Sequence, residues 1–179
     1  MSHILNLRRA TRDDAQVLAE FARQTFIDTY AEFNDAENMR QHCEIYFGEA
    51  QQAAEIARAD CVFLLAYQAE NLVGFAQVIA RAQPNCVNSP TAICLYRYYV
   101  DKAWHGKGIA QALLDAALST AREMGYQQVW LTAWEHNPRA IAFYRKAGFT
   151  EVGATGYPFG TEVQRDLVFI KSVDSFCLA

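Results

Sequence analysis

Along the chain the apolar positions change period, and each change marks an element. Val17-Leu18, Phe21-Ala22 and Phe26 recur at helical spacing, which predicts a helix from about residue 11 to residue 30. Thr11 can cap it, with Asp13 and Asp14 at the positive end of its dipole. Ahead of it, residues 4–8, beginning at Ile4, read as a short strand. Residues 37–58 carry a less regular helical pattern, with Tyr46-Phe47 on it and a break at Gly48. Residues 61–67 and 72–80 are rich in β-formers and flank the polar step Gln68-Ala69-Glu70-Asn71, a hairpin signal. A loop over 81–90 leads into a third long strand over 91–100.

The second half is more sharply punctuated. From Gly106 to residue 124 a helix is predicted, with Ile109, Leu113, Ala116-Ala117 and Ala121 facing a core and Gly125 ending it. A strand over 128–133 precedes a helix over 138–147. That helix has Asn137 as N-cap, Pro138 at its first position, Arg145-Lys146 at its negative end and Gly148 just beyond. Residues 149–154 and 164–171 read as the last two strands, joined by the Gly- and aromatic-bearing segment 155–160. The order β-α-α-β-β-β-α-β-α-β-β describes one mixed α/β domain, and 179 residues suit a single core.

Charge and cysteine usage narrow the partners. Sixteen Lys+Arg against twenty Asp+Glu leave a formal charge of −4, which argues against a nucleic-acid surface. A local loop can still grip a small phosphorylated ligand, because geometry and not net charge decides that. Residues 1–14 carry no apolar h-region, and the longest dense apolar run, residues 61–67, is far short of a membrane span, so a cytoplasmic protein with no membrane partner is expected. Cys43, Cys61, Cys86, Cys94 and Cys177 form no C-x-x-C pair and are expected to be reduced. His3, His42, His105 and His136 stand at no metal-ligand spacing, so no metal is expected.

The most informative stretch is Tyr98-Tyr99-Val100-Asp101-Lys102-Ala103-Trp104-His105-Gly106-Lys107-Gly108-Ile109-Ala110, in which a strand passes through a short connector into glycines that open a helix. Unpartnered amides and the dipole at a helix N-terminus attract phosphate, and glycines let it approach the backbone. The pattern is neither a P-loop nor G-x-G-x-x-G, since position 111 is Gln. On local grounds the glycines serve either a tight turn or a phosphate loop.

His105-Gly106-Lys107-Gly108-Ile109-Ala110 resembles the acetyl-CoA loop of the GNAT N-acetyltransferase superfamily, Gln/Arg-x-x-Gly-x-Gly/Ala, with His105 where Gln or Arg is usual. Residues 137–149, which include Asn137, Ala140, Tyr144, Lys146, Gly148 and Phe149, resemble its second signature, Asn-x-x-Ala-x-x-x-Tyr-x-Lys-x-Gly-Phe. The resemblance covers about residues 93–149 and implies an α/β (α+β) single domain with a mixed sheet of about six to seven strands and helices on both faces. It also implies acetyl-CoA as cosubstrate. The amides of Gly106, Lys107, Gly108, Ile109, Ala110 and Gln111 would bind its pyrophosphate. Tyr98 and Val100 would pair with pantetheine through their backbones, across a splay between the strands over 91–100 and 128–133.

Acyl transfer to an amine needs a neutral amine, oxyanion stabilisation and a proton for the thiolate. Tyr144 matches the family's tyrosine and is the expected acid, its other reading being a core aromatic. A strand amide near Val100 would stabilise the oxyanion. Asn137 serves as N-cap, cleft residue or both, and Glu135 as a general base or a solvated connector carboxylate. His105 is chemically suited as a base but lies by the phosphate loop. Strict alternation sends Tyr96 and Tyr98 to one face of their strand and Tyr99 to the other.

The family's acceptor site maps to residues 22–47 and 153–162. There Asp28, Glu32, Asp35, Glu37 and Glu44 interleave with Phe26, Tyr30, Phe33 and Tyr46, a mixture that suits a cationic amine or is simply a solvated helix face. The expected activity is N-acetylation of a primary amine on a small molecule, since the overall pattern resembles the bacterial small-amine and polyamine enzymes of the family more than the histone enzymes. The alternatives are protein or peptide N-acetylation and a non-catalytic acyl-CoA sensor. An exposed edge strand near the C-terminus could support a homodimer.

Overall fold

In the computed structural model, residues 5–173 are described; Ile4 and Cys177 lie outside them. Strand β1 (Leu5–Arg9) leads through a 3₁₀ turn (Arg12–Asp14) into α1 (Ala15–Tyr30), followed by α2 (Ala36–Tyr46) and α3 (Glu49–Ile56). Next come β2 (Cys61–Gln68), β3 (Asn71–Ile79), β4 (Ala92–Val100), α4 (Ile109–Glu123), β5 (Gln128–Trp134), α5 (Pro138–Lys146), β6 (Thr150–Phe159) and β7 (Glu162–Ser172). One seven-stranded sheet has the order β1-β2-β3-β4-β5-β7-β6. Among the described residues only β4 and β5 pair in parallel. The domain is the single mixed α/β unit expected.

Two cores sandwich the sheet. On one face α4 and α5 bury Ile109, Leu113 and Ile141 against Ile93, Leu95, Leu131 and Phe169. On the other, α1 and α2 bury Leu18, Phe26 and Met39 against Phe63, Phe75, Trp130 and Val168. Each fully buried aliphatic or aromatic side chain contributes about 1.5–3 kcal/mol. Among the described residues no helix is long and apolar enough to cross a membrane.

Three expectations change. The helix predicted from Gly106 begins at Ile109, because Gly106 and Gly108 sit at φ +76° and +82°, outside helical space. Segment 155–160 is not a connector: β6 continues through it to Phe159, with only Gly160 and Thr161 left as the turn. Gly156 and Pro158 lower its strand propensity, but β6 is an edge strand, where proline can forfeit an amide and pairing with β7 prevails. Finally, β4 does not alternate strictly. Its register against β3 steps from Arg97↔Gln77 to Leu95↔Val78, a bulge that skips Tyr96. Tyr96 therefore joins Tyr99 in the α1–α2 core, while Tyr98 packs in the α4–α5 core.

The entry to α1 is an ion-paired cap. Asp14 accepts from the Thr11 amide at 2.7 Å and from both Arg8 guanidinium nitrogens at 2.8 and 2.6 Å. Chiefly through Arg8, its carboxyl is held at about 2 instead of 3.8. A carboxyl lowered on folding contributes stability above its unfolded pKa and loses it as the pH falls through the folded one. Asp14→Asn is expected to cost about 1 kcal/mol at neutral pH, discounted because Arg8 is partly exposed, and to remove that share of acid sensitivity between about pH 4 and pH 2. Urea titrations of both proteins across that range check it.

Candidate active site

The site begins where two strands part. β4 and β5 pair at Ala92↔Gln128, Ile93↔Val129 and Cys94↔Trp130, and the ladder stops there, with Leu95 between it and the bulge at Tyr96. Bulges bend the strand that carries them, and this one turns β4 away from β5. The Asp101 amide donates to the Val73 carbonyl at 2.9 Å, so by antiparallel alternation Tyr99 also points its backbone groups at β3. Tyr98 and Val100 then turn theirs into the opening. A cleft of about 680 Å³ passes through it, lined by α1, β4, the start of α4, Thr132-Ala133 of β5, and α5.

At the cleft's outer end the glycines hold a cradle. Gly108 precedes α4 with φ +82°, and a Cβ built on Gly106 or Gly108 would meet nothing within 4 Å. The helical ladder starts with the Ala112 amide donating to the Gly108 carbonyl at 3.1 Å. The amides of Ile109, Ala110 and Gln111 thus stand in the first turn of a 15-residue helix, where they have no intrahelical acceptor. Ile109 contributes only backbone here, its side chain being buried. Gln111 binds Asp115 at 2.8 Å, and Lys107 lies over the Trp104 ring at 4.5 Å. Lys102, Arg139 and Lys146 add positive charge along the cleft. The donors, the open space and the charge fit a diphosphate.

Several candidates take more definite positions. His105 does not aim at the phosphate cradle: its Nε2–H donates to the Val100 carbonyl at 2.7 Å, which fixes the tautomer and leaves the Val100 amide as the open group. Tyr98 donates its hydroxyl to the Ala110 carbonyl, tying β4 to α4. Asn137 is both N-cap and cleft residue, accepting from the Ala140 amide at 3.1 Å. Tyr144 lines the cleft yet is 7% exposed, packed between Tyr98 and Phe149 with ring centroids at 6.2 and 5.8 Å. Burial pushes its phenol far above the ordinary value, so it keeps its proton. Glu135 lines neither the cleft nor the cavity beyond it; Arg165 holds its carboxylate at 2.8 Å.

Beyond the strand opening, on the α1–α2 side, lies a narrower cavity of about 90 Å³. Tyr30, Tyr96, Tyr99 and Thr132 line both spaces and form their common wall. Most acidic residues expected to serve an acceptor are engaged elsewhere. Glu37 and Glu44 grip Arg40, Asp35 caps α2, and Asp28, on the cleft, lies 3.6 Å from Lys102. The cavity instead contains residues not singled out from sequence: His42, Arg97, Thr132 and Asp166. Burial, and then Arg97, lowers the His42 pKa to about 4, leaving it neutral near pH 7. Among the described residues no group of three or more His, Cys, Asp or Glu is placed to hold a metal.

The family model described as Acetyltransferase (GNAT) family matches residues 19–149. The chain belongs to the GNAT acetyltransferase family. This GNAT chain is 25% identical over 165 residues to an uncharacterized N-acetyltransferase in the pepI 3′ region of Lactobacillus delbrueckii subsp. lactis, covering 92% of this chain and 95% of that one. It is 29% identical over 84 residues to the spermine/spermidine N(1)-acetyltransferase of Bacillus subtilis, covering 46% of this chain and 55% of that protein. In fold, it superposes on the PaiA N-acetyltransferase of Thermoplasma acidophilum, solved with coenzyme A, at a TM-score of 0.79 and 23% identity. That match covers 94% of this chain and 99% of the other.

Proposed function

We propose that this GNAT acetyltransferase takes acetyl-CoA along the α4–α5 side of the cleft and acetylates the primary amine of a small molecule entering from the cavity on the α1–α2 side. The observation that carries this reading is the common wall of Tyr30, Tyr96, Tyr99 and Thr132, which lets two ligands meet at the strand opening from opposite faces of the sheet. The spermine/spermidine N(1)-acetyltransferase relative supports a small amine, and the cavity's size suits a slender aminoalkyl terminus.

Acetyl-CoA supplies an activated acetyl thioester. In this reading the amides of Gly106, Lys107, Gly108, Ile109, Ala110 and Gln111 bind the diphosphate, and the backbone of Tyr98 and Val100 binds the amides of the pantetheine arm. The Val100 amide is the donor for the developing oxyanion. Asn137 orients the ligands at the inner end, and Tyr144 holds a proton for the departing thiolate.

Thiol release from acetyl-CoA, followed with polyamines, amino acids, aminoglycosides and peptides, tests the proposal. Turnover on a small primary amine is expected. Coenzyme A binding without turnover on any amine would replace an enzyme with a sensor, and turnover on peptides alone would reverse the substrate class. Gly108→Val places a β-branched side chain at positive φ, at a cost of roughly 1–2 kcal/mol, and fills the cradle. Calorimetry is expected to show coenzyme A affinity lowered about 10–100-fold, each 1.4 kcal/mol being tenfold. Native affinity in this variant would contradict the loop assignment.

A further inference from the structure

One buried carboxyl in the cavity has no counterion among the described residues. Asp166, on β7, is 8% exposed and lines the cavity. Its Oδ2 accepts from the Thr132 hydroxyl at 2.9 Å, and Thr132 belongs to the wall shared with the cleft. Among the described residues no lysine or arginine forms an ion pair with Asp166. The nearby cation, Arg97, is already matched by Glu55 at 2.6 Å, and Arg165 by Glu135 at 2.8 Å. Removing a carboxylate from water without a partner is costly, and a cationic ligand is the chemistry that relieves it.

The surroundings agree. Tyr30 of α1, Tyr99 of β4 and Trp134 of β5 line the cavity, and aromatic rings attract an ammonium group. The groups lining the cavity with Asp166 that can carry charge are Tyr30 of α1, His42 of α2, Tyr96, Arg97 and Tyr99 of β4 and Tyr157 of β6, and Glu135 after β5 acts on it from nearby. His42 is neutral and Tyr30, Tyr99 and Tyr157 are protonated, while burial first and then Glu135 raise the Asp166 carboxyl above its ordinary value. Such a carboxylate is a better base than an exposed one.

From this geometry we infer that Asp166, and not Glu135, receives the acceptor's ammonium group at the common wall and removes its proton. The inference rests on the acetyl-transfer reading above. One proton passes from the ammonium nitrogen to the Asp166 carboxylate. The freed lone pair forms the C–N bond as the C–S bond breaks. The thiolate takes the Tyr144 proton, the second N–H proton restores the phenol, and Asp166 releases its proton to water.

Steady-state kinetics of Asp166→Asn with spermidine and with a simple primary monoamine test this. Asn keeps an acceptor for Thr132, so the fold is expected to survive, and a thermal melt checks that. Amine kcat/KM is expected to fall at least 100-fold with acetyl-CoA KM within threefold of wild type. Above pH 7 the variant's kcat/KM should climb about tenfold per pH unit, because only amine already deprotonated in solution reacts, while the wild-type profile flattens. Asp166→Glu should restore at least tenfold of the loss. If Asp166→Asn does not fold, the pH profile of amine kcat/KM in Asp166→Glu decides: a limb displaced from that of wild type supports the role of Asp166, and an identical profile overturns it. Wild-type amine kinetics with an unaltered pH profile in the variant overturns the role of Asp166 alone. A wild type that acetylates no amine overturns the acetyl-transfer reading and this inference with it.

Discussion

Tyr144→Phe is expected to lower kcat for acetyl transfer by about 10²–10⁴, the range for loss of a positioned general acid. The change removes one oxygen and leaves the ring, so the contacts with Phe149 at 5.8 Å and Phe169 at 6.2 Å persist. Acetyl-CoA KM should stay within threefold and thermal stability close to wild type. Because burial holds the phenol far above its ordinary pKa, wild-type activity should show no loss from Tyr144 ionisation up to about pH 10. Stopped-flow turnover beside coenzyme A calorimetry separates chemistry from binding. An unchanged kcat would return Tyr144 to the core-aromatic reading.

Arg97→Met is expected to have the largest effect on stability. Arg97 is 5% exposed and pairs with Glu55, which also accepts from Gln77 at 3.1 Å and from Gln51 at 2.8 Å. The ion pair joins β4, at its bulge, to α3 across the α1–α2 core. Removing the guanidinium strands the Glu55 carboxylate in that core at a cost of about 3–5 kcal/mol. For a domain of this size that corresponds to a fall in Tm of roughly 10 °C. Pairing the substitution with Glu55→Leu should recover at least half of the loss, since a buried ion pair is often no better than apolar side chains of similar volume. Calorimetric melts of the two single variants and the double variant measure the coupling, and additive losses would show that the pair is not linked.

Much of the cofactor side was legible because its determinants are local. The helix Pro138–Lys146 carries its cap, its first-turn proline and its basic end within a dozen residues, and it forms as expected. The two glycines at positive φ likewise announce themselves, since other residues avoid that region. The acceptor side was less legible. Nothing near Tyr96 marks the bulge, which exists only in register against β3. Asp166 leaves one faint signal: it falls two residues before Val168, in step with a buried position on the same strand. Glu135, the carboxylate that its place after β5 suggests as a base, is held by Arg165, 30 residues away in the chain.

The sequence by itself determined the order of elements, the single mixed domain and the glycine turn that opens α4, because periodicity, caps and glycine conformations act over a few residues. Tertiary structure alone decided where β4 leaves β5, which carboxylate remains without a counterion and how a cavity on one face meets a cleft on the other. Those properties come from pairing between distant segments, where a one-residue change of register turns a side chain to the opposite face and a remote arginine settles whether a carboxylate is free.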